Sequence, residues 1–248
     1  MTRIIIAGDS WGAHSYEEKV LEIKHERNLK RQQKKNYVLY PGPGYFLSEL
    51  TNLEVITIAD HGVSNTEAFD NLNKIDYKND IIVFYKTGLF REIHKAYVNK
   101  KQVHATKNFK NDMAYYSDKF YQRCSKIKAK HFCLIGGCVQ IQKEQARKCN
   151  INVIEHSITK WLCPEFVDHD FDSTTYWLKF QYASKPIGLT CEYFKKSIIK
   201  SYDKIDFWRR KGWKNGLFYE NHPTVVSNKK IAKRVYKYLK KLHQPLFL

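Results

Sequence analysis

Ile4-Ile5-Ile6-Ala7-Gly8-Asp9-Ser10 is the segment from which the architecture of this chain can be worked out. Four apolar residues followed by a glycine predict a buried strand that ends in a tight turn. Ser10 is among the first polar side chains beyond that turn. Because α/β sheets bind ligands at the carboxyl ends of their strands, Ser10 is a candidate nucleophile. Taken alone, the residue is better explained as the cap of a strand-helix turn.

Four further apolar runs follow the first one, and helical patterns separate most of them. Near-continuous apolar strands that alternate with helices are typical of a parallel sheet covered on both faces. We therefore expect an α/β fold, a three-layer α/β/α sandwich with a central parallel sheet of about five strands. The predicted strands are 3–7, 54–59, 80–85, 131–136 and 151–155.

Helices are predicted at 45–50, at 64–72 and within 91–130, and a further helical pattern covers 189–208. Ser64 and Glu67 have the spacing of a capping box at the start of the second helix. Apolar residues three and four positions apart predict an amphipathic helix over 109–128 and another from Thr224 or Ser227 to Leu242. The expected buried positions are Met113, Tyr116, Phe120, Cys124 and Ile127 in the first of these, and Ile231, Val235, Tyr238 and Leu242 in the second.

The 248 residues fit a single domain that spans 1–248. A basic insertion is predicted around 15–40, and the region 160–220 has a less regular pattern. No run approaches the roughly 18 to 20 apolar residues of a membrane helix, and the first apolar run is too short for a secretory signal. We expect a protein made in the cytoplasm, with no membrane partner.

The net charge of +18 raises the question of a polyanionic partner. Lysines outnumber arginines by 34 to 9 and are spread along the chain, whereas proteins that read nucleic-acid sequence concentrate arginine at their contacts. An AT-rich coding genome produces the same composition, and we favour that explanation, with no specific nucleic-acid partner. The densest basic cluster, Lys24 to Lys35, is interpreted as a solvated face first and a docking patch second.

The six cysteines include no Cys-x-x-Cys pair and are expected to be reduced. His131 and Cys133 with Cys138 have ligand-type side chains, but they fall on an apparent buried strand. The cluster Asp168-His169-Asp170-Phe171-Asp172 is more typical of a solvated acidic turn than of a metal site. We therefore predict no metal and no cofactor.

His222 is the best candidate for a base that activates the serine. A serine hydroxyl needs a base to take its proton, and the usual base is a histidine held by a third group. Of the ten histidines, His222 stands directly before Pro223 and the last predicted helix, in a position where the ring can be held rigidly.

Three segments taken together resemble the SGNH (GDSL-type) hydrolases, a family of α/β/α-sandwich esterases and deacetylases with a flavodoxin-like sheet. Gly8-Asp9-Ser10 matches the nucleophile motif of the family. The loop from Asp60 to Thr66 looks like its second motif, and His222-Pro223-Thr224 matches its final motif. The resemblance spans nearly the whole chain. It implies that Ser10 is the nucleophile, that His222 is the base, and that the amides of Ser10 and Gly62 hold the oxyanion.

Two positions depart from the family pattern. After the third strand Gly88 is present, but Phe90 stands where an asparagine should contact the oxyanion, and Arg91 or Lys86 is considered as a cationic replacement. Loss of one oxyanion donor typically costs about 2.7 to 4 kcal/mol of transition-state stabilisation. The acid of the triad is expected three residues before the histidine, where Tyr219 stands, and Glu220 one position later is the alternative. A Ser-His dyad without an acid is also open.

The resemblance implies a serine esterase or deacetylase that acts on a small ester or an acetylated glycan. Trp11 and His14 follow the nucleophile and are considered as pocket residues, with Trp11 alternatively packing against the basic insertion. The second hypothesis is a catalytically impaired SGNH-fold structural or interaction protein, such as a phage virion component, which the lysine-rich composition and the missing asparagine favour. Its partners would be other virion proteins or a second copy of the chain, and its location the virion.

Overall fold

Five strands form one parallel sheet in a computed structural model that describes residues 2–13, 15–16, 39–60, 62–89, 92, 109–137, 140–162, 218–219 and 222–242. The strands of this sheet are β1 (Ile4–Gly8), β4 (Val55–Thr57), β5 (Ile81–Lys86), β6 (His131–Gly136) and β7 (Asn152–Glu155). Two short antiparallel pairs join β2 (Ser15–Tyr16) to β3 (Leu39–Tyr40), and β8 (Phe218–Tyr219) to β9 (His222–Pro223). The helices are α1 (Pro43–Leu50), α2 (Asn65–Leu72), α3 (Phe109–Cys124), α4 (Lys143–Lys148), α5 (Ile158–Leu162) and α6 (Val225–Leu242).

The sheet order is β4-β1-β5-β6-β7, with β1 hydrogen-bonded to both β4 and β5. If the five strands of this sheet are numbered 1 to 5 as they occur along the chain, they lie side by side in the order 2-1-3-4-5. This is the strand order of doubly wound sheets of the flavodoxin type. The chain leaves β1 toward one edge to form β4 and then crosses back to form β5 on the other side. The crevice at this reversal lies outside the carboxyl ends of β1 and β5, and such crevices are where ligands bind in this topology.

Alternate residues of the strands supply two separate cores, as the period of two along a strand requires. Ile4 and Ile6 face one core, together with residues of α1 and α6. Ile5 and Ala7 face the other core, together with residues of α2 and α3. The sheet is therefore covered on both faces, and the predicted three-layer α/β/α sandwich is confirmed.

Each predicted strand matches an observed strand to within two residues at either end, and 131–136 matches fully. Ser64 caps α2, where its side chain accepts from the Glu67 amide, and the Glu67 carboxylate accepts in return from the Ser64 amide, so the predicted capping box is confirmed. Helices α4 and α5, at 143–148 and 158–162, were not predicted. They have six and five residues, too few for a clear apolar period.

The predicted buried faces of the two longest helices need correction. In α3, Phe120 and Cys124 are buried as expected, but the helix ends at Cys124 and Ile127 lies beyond it, only partly buried. In α6 the innermost residues are Ile231, Ala232, Val235 and Leu239, whereas Tyr238 and Leu242 are only partly buried against the core. Leu239 takes the central place because it lies one full turn after Val235.

Several predicted features fall outside the described residues. These are the interior of the basic insertion with its Lys24 to Lys35 cluster, the helix at 189–208, the acidic cluster at 168–172, Met113 as a side chain, His14 and Cys138. The pair β2–β3 brackets the insertion at its two ends. In the described part of the chain, no helix has the length and apolar character to cross a membrane.

Candidate active site

Ser10 lies in a tight turn at the carboxyl end of β1. Gly8 has a φ of 111°, and a Cβ at this position would overlap the carbonyl oxygen of Tyr85 on β5. The Asp9 amide donates to that same oxygen at 3.2 Å, so the turn is fastened to the neighbouring strand. Asp9 then accepts from the next amides, its Oδ1 from Trp11 at 3.0 Å and its carbonyl from Gly12 at 3.0 Å. These contacts fix the backbone on both sides of Ser10, which is 5 % exposed.

The turn lies at the topological reversal of the sheet. The segment after β4 runs beside it, because the Asp60 amide donates to the Gly8 carbonyl at 3.3 Å. Gly62 follows in this segment with a φ of 75° and is exposed, and no atom of the described residues lies within 4 Å of where its Cβ would be. Ser64 then begins α2. The loop that was predicted to supply an oxyanion amide thus starts at the serine turn, and the specific role of Gly62 stays a prediction.

Asn65 joins this loop to the end of β5. Its side chain is buried, and its Oδ1 accepts from the Thr87 amide at 2.9 Å while its Nδ2 donates to the Thr87 carbonyl at 3.1 Å. Gly88 follows Thr87 and is buried. This reciprocal pair, which we call the Asn65–Thr87 clamp, sets the spacing between the two loops that flank the serine turn. Sequence analysis did not identify Asn65.

Glu92 is a second polar residue that sequence analysis missed. It is buried, and its Oε1 accepts from the Thr66 amide in the first turn of α2 at 2.8 Å. Burial raises the pKa of the Glu92 carboxyl, while hydrogen bonds from Thr66, Asn65 and Ser64 act against that rise. The hydrogen bond from Thr66 fastens the segment after β5 to the amino terminus of α2.

Lys86, one of the two cations considered for the oxyanion site, is a buried residue. It is 2 % exposed, and its Nζ donates to the Gln140 carbonyl at 3.1 Å. The ammonium also lies 5.7 Å from the ring centre of Phe120 and 5.9 Å from that of Tyr121. Lys86 is thus a buried cation that ties β5 to α3 and to the loop after β6. This packing argues against the hypothesis that its ammonium replaces the missing oxyanion asparagine.

Tyr85 and Asp9 bring two buried polar groups together beneath the turn. Both residues are completely buried, and the Tyr85 hydroxyl has no hydrogen-bond partner among the described residues. Burial raises the pKa of Tyr85, and the charge of Asp9 raises it further. The hydroxyl therefore stays protonated at every physiological pH.

Trp11 is a core residue rather than part of a pocket wall. It is 2 % exposed, and it packs with Ile6 and Ile135 in the core on the α1 and α6 side of the sheet. A Cβ on Gly137 would lie 3.0 Å from its indole ring, so the ring fills the space above that glycine. The alternative that Trp11 lines a substrate pocket is therefore not supported, and His14 lies outside the described residues.

The helix that follows His222 begins near the edge of the sheet at which Ser10 lies. Strand β9 leads directly into α6, and Asn228 in the first turns of α6 donates through its Nδ2 to the Pro41 carbonyl at 3.3 Å. Pro41 stands just before α1, and Gly44 at the start of α1 lies against Thr57, the last residue of β4. The start of α6 is therefore near the carboxyl end of β4, the strand beside β1. The His222 side chain, Glu220 and Arg91 lie outside the described residues, so the contact between Ser10 and His222 stays a prediction.

A cavity of about 400 Å³ lies on the other side of this edge, between α2 and α3. Its wall includes Glu92, Phe69, Tyr116 and Arg123. The Arg123 guanidinium stacks 4.9 Å from the Phe69 ring centre and pairs with Asp70 at 2.5 Å. The Arg123 guanidinium of this wall is thus used in contacts between α2 and α3. The lining also includes Asn65, the residue that joins the two loops beside the serine turn, so the cavity adjoins those loops.

No model of a protein family and no curated protein matches this sequence.

Proposed function

We propose that the protein is a serine ester hydrolase of the SGNH type, in which Ser10 is the nucleophile. One observation carries the proposal. The conformation of Gly8 and the hydrogen bond from the Asp9 amide to the Tyr85 carbonyl hold Ser10 at the carboxyl ends of β1 and β5, where the strand order of the sheet reverses. Ligands bind at this place in such folds. The resemblance of Gly8-Asp9-Ser10, 60–66 and 222–224 to the three family motifs supplies the reaction class.

In this proposal the Ser10 hydroxyl attacks the carbonyl carbon of an ester or acetyl group, and His222 accepts its proton. Glu220 or a backbone carbonyl orients the imidazole. The amides of Ser10 and Gly62 stabilise the oxyanion, and Gly88 and Arg91 supply the third side of the oxyanion site. Collapse of the tetrahedral intermediate releases the alcohol, which takes the proton from His222, and water then hydrolyses the acyl-serine. Acetylated glycans and small acetyl esters are the proposed substrates.

The test is hydrolysis of p-nitrophenyl acetate by wild type, by Ser10→Ala and by Ser48→Ala. Ser48 is an exposed serine on α1 and serves as the matched control. We expect Ser10→Ala to fall to the rate of the uncatalysed background, a loss of about 10³-fold or more, while Ser48→Ala keeps the wild-type rate. A fluorophosphonate probe should label Ser10 alone in the folded protein. Equal rates in wild type and Ser10→Ala would remove the proposal.

A second candidate is an SGNH-fold interaction protein whose catalysis is impaired, for example a component of a phage virion. The burial of Lys86 against Phe120 and Tyr121 favours it, because this removes one of the two cations considered in place of the missing asparagine. Such a protein would bind other virion proteins or a second copy of itself. It predicts that the fluorophosphonate probe leaves Ser10 unmodified and that Ser10→Ala changes no rate.

A further inference from the structure

Helix α6 carries the most one-sided charge of the helices in the described part of the chain. Its 18 residues include seven cationic side chains and no carboxylate. By comparison, α2 has two acidic residues and no basic one, and α3 has both signs. The seven cations are all exposed, and we call them the basic stripe: Lys229, Lys230, Lys233, Arg234, Lys237, Lys240 and Lys241.

The basic stripe occupies one continuous face of α6. At 3.6 residues per turn its members fall within an arc of about 140° and extend over roughly 18 Å of the helix. The opposite face is buried in the core through Ile231, Val235 and Leu239. The sequence therefore separates a packed apolar face from a wholly cationic outer face. A lysine-rich composition explains lysines on the outer face but not the absence of carboxylates from α6, because the whole chain has 25 Asp and Glu residues beside its 43 Lys and Arg residues.

Few negative groups compensate this charge. Glu155 on β7 pairs with Arg234 at 3.1 Å, and Arg234 also lies over the Trp161 ring. Within the described residues, the six lysines of the stripe have no carboxylate at ion-pair distance, and α1, which packs beside α6, carries one carboxylate, Glu49. Counting only the described carboxylates, the stripe thus presents about one uncompensated charge per 3 Å, a spacing of the same order as the 1.7 Å between successive charges along duplex DNA.

We propose that the basic stripe binds the phosphate backbone of double-stranded nucleic acid without sequence preference. Lysine ammonium groups act as point charges toward phosphates, and release of counterions supplies the affinity. A protein partner would need aromatic or apolar side chains at the centre of the contact, whereas the exposed apolar residue on this face of α6, Val226, lies at its end, one turn before the stripe. An anionic membrane would be held by an apolar helix face, and that face of α6 is packed in the core.

The experiment follows the anisotropy of a fluorescein-labelled mixed-sequence duplex of about 20 base pairs, titrated between about 50 and 200 mM salt. The test variant replaces Lys230, Lys233, Lys237 and Lys241 with glutamine, which has nearly the same helix propensity as lysine. The matched control replaces four other exposed lysines, namely Lys74, Lys78, Lys128 and Lys148, with glutamine. Both proteins lose the same charge, so a difference between them reports position on the surface.

We expect the stripe variant to bind at least tenfold more weakly at the lowest salt, and its slope of log affinity against log salt to be smaller by roughly 3.6. The control should change the slope by less than about one. Equal losses in the two variants would show that only net charge matters and would overturn the proposal. Stripe-dependent binding to vesicles containing phosphatidylserine, without binding to the duplex, would overturn it in favour of a membrane surface. Ser10→Ala should bind the duplex like wild type, so this proposal can fail or succeed independently of the hydrolase.

Discussion

Gly8 is the residue on which the position of Ser10 depends most directly. Its φ of 111° lies in a region that side-chain-bearing residues rarely adopt, and its Cα faces the backbone of Tyr85, with the amide nitrogen 2.7 Å from an added Cβ. We predict that Gly8→Ala lowers the free energy of unfolding by about 3 kcal/mol or more, because strain and overlap with rigid backbone add together. Urea unfolding measures this loss, and hydrolysis of p-nitrophenyl acetate should be lost as well.

Gly62 provides the control for this prediction. It also has a positive φ, 75°, but none of the described residues has an atom within 4 Å of an added Cβ. Gly62→Ala should therefore cost only about 1 to 2 kcal/mol, the price of the left-handed conformation alone. Equal losses in the two variants would mean that overlap with Tyr85 adds nothing to the cost and that the close approach of β5 does not hold the turn.

Tyr85 allows a separate test of the buried polar groups beneath the serine turn. Its hydroxyl is buried and has no hydrogen-bond partner among the described residues. Removing a buried polar group that has no partner removes its desolvation penalty. We predict that Tyr85→Phe leaves the free energy of unfolding unchanged or raises it by about 1 kcal/mol. A loss of more than 1 kcal/mol in urea unfolding would show that the hydroxyl has a partner in the remainder of the chain.

At the scale of elements, the Asn65–Thr87 clamp connects the start of α2 with the end of β5. Both hydrogen bonds are buried, so truncation leaves the Thr87 amide and carbonyl without partners. We predict that Asn65→Ala lowers the free energy of unfolding by about 2 to 3 kcal/mol. Ser64→Ala, which removes the neighbouring helix cap, should cost only about 1 kcal/mol. Thermal or urea unfolding of the two variants compares them, and a larger loss for Ser64→Ala would contradict the clamp.

The strands could be predicted from sequence because each is a continuous apolar run, such as Ile81 to Tyr85, between turn residues. The same reasoning located Ser10, since a glycine after such a run ends the strand at a known edge. It did not find α4, whose sequence Lys-Glu-Gln-Ala-Arg-Lys buries one residue, Ala146. The spacing of apolar residues gives no signal for a helix that buries a single side chain and is joined to its neighbours by short loops.

Asn65, Lys86 and Glu92 could not be assigned from sequence because their partners are distant along the chain. Asn65 meets Thr87 across 22 positions, and the Lys86 ammonium meets Gln140 across 54. Lysine and glutamate are rarely buried, so the sequence gives no reason to place Lys86 or Glu92 in the interior. The contacts that bury these side chains depend on the crossover connections of the sheet. These place loops from separate strands at one edge.

For the molecule as a whole, the stability contributed by two buried carboxyls depends on pH with opposite signs, because the pKa of Asp80 is lowered in the folded state and that of Glu92 is raised. Asp80, at the other edge of the sheet, accepts from the Arg3 guanidinium at 2.6 Å. Burial alone would raise the pKa of Asp80, but the bonds from Arg3 outweigh it and lower the pKa. Stability from this group is therefore present above the unfolded pKa, near 3.9, and is lost as the pH falls through the lower folded value.

Glu92 has the opposite sign, because burial raises its pKa in the folded state. Its contribution is fully present below the unfolded pKa, near 4.3, and is lost as the pH rises through the raised value. We predict that Glu92→Gln removes a decline in unfolding free energy on the neutral side of about pH 4.3, while Asp80→Asn flattens the decline on the acid side of about pH 3.9. Urea unfolding of wild type and the two variants between about pH 3 and 8 gives the three curves. If Glu92→Gln left the neutral side unchanged while Asp80→Asn altered it, the assignment of the two carboxyls would be reversed.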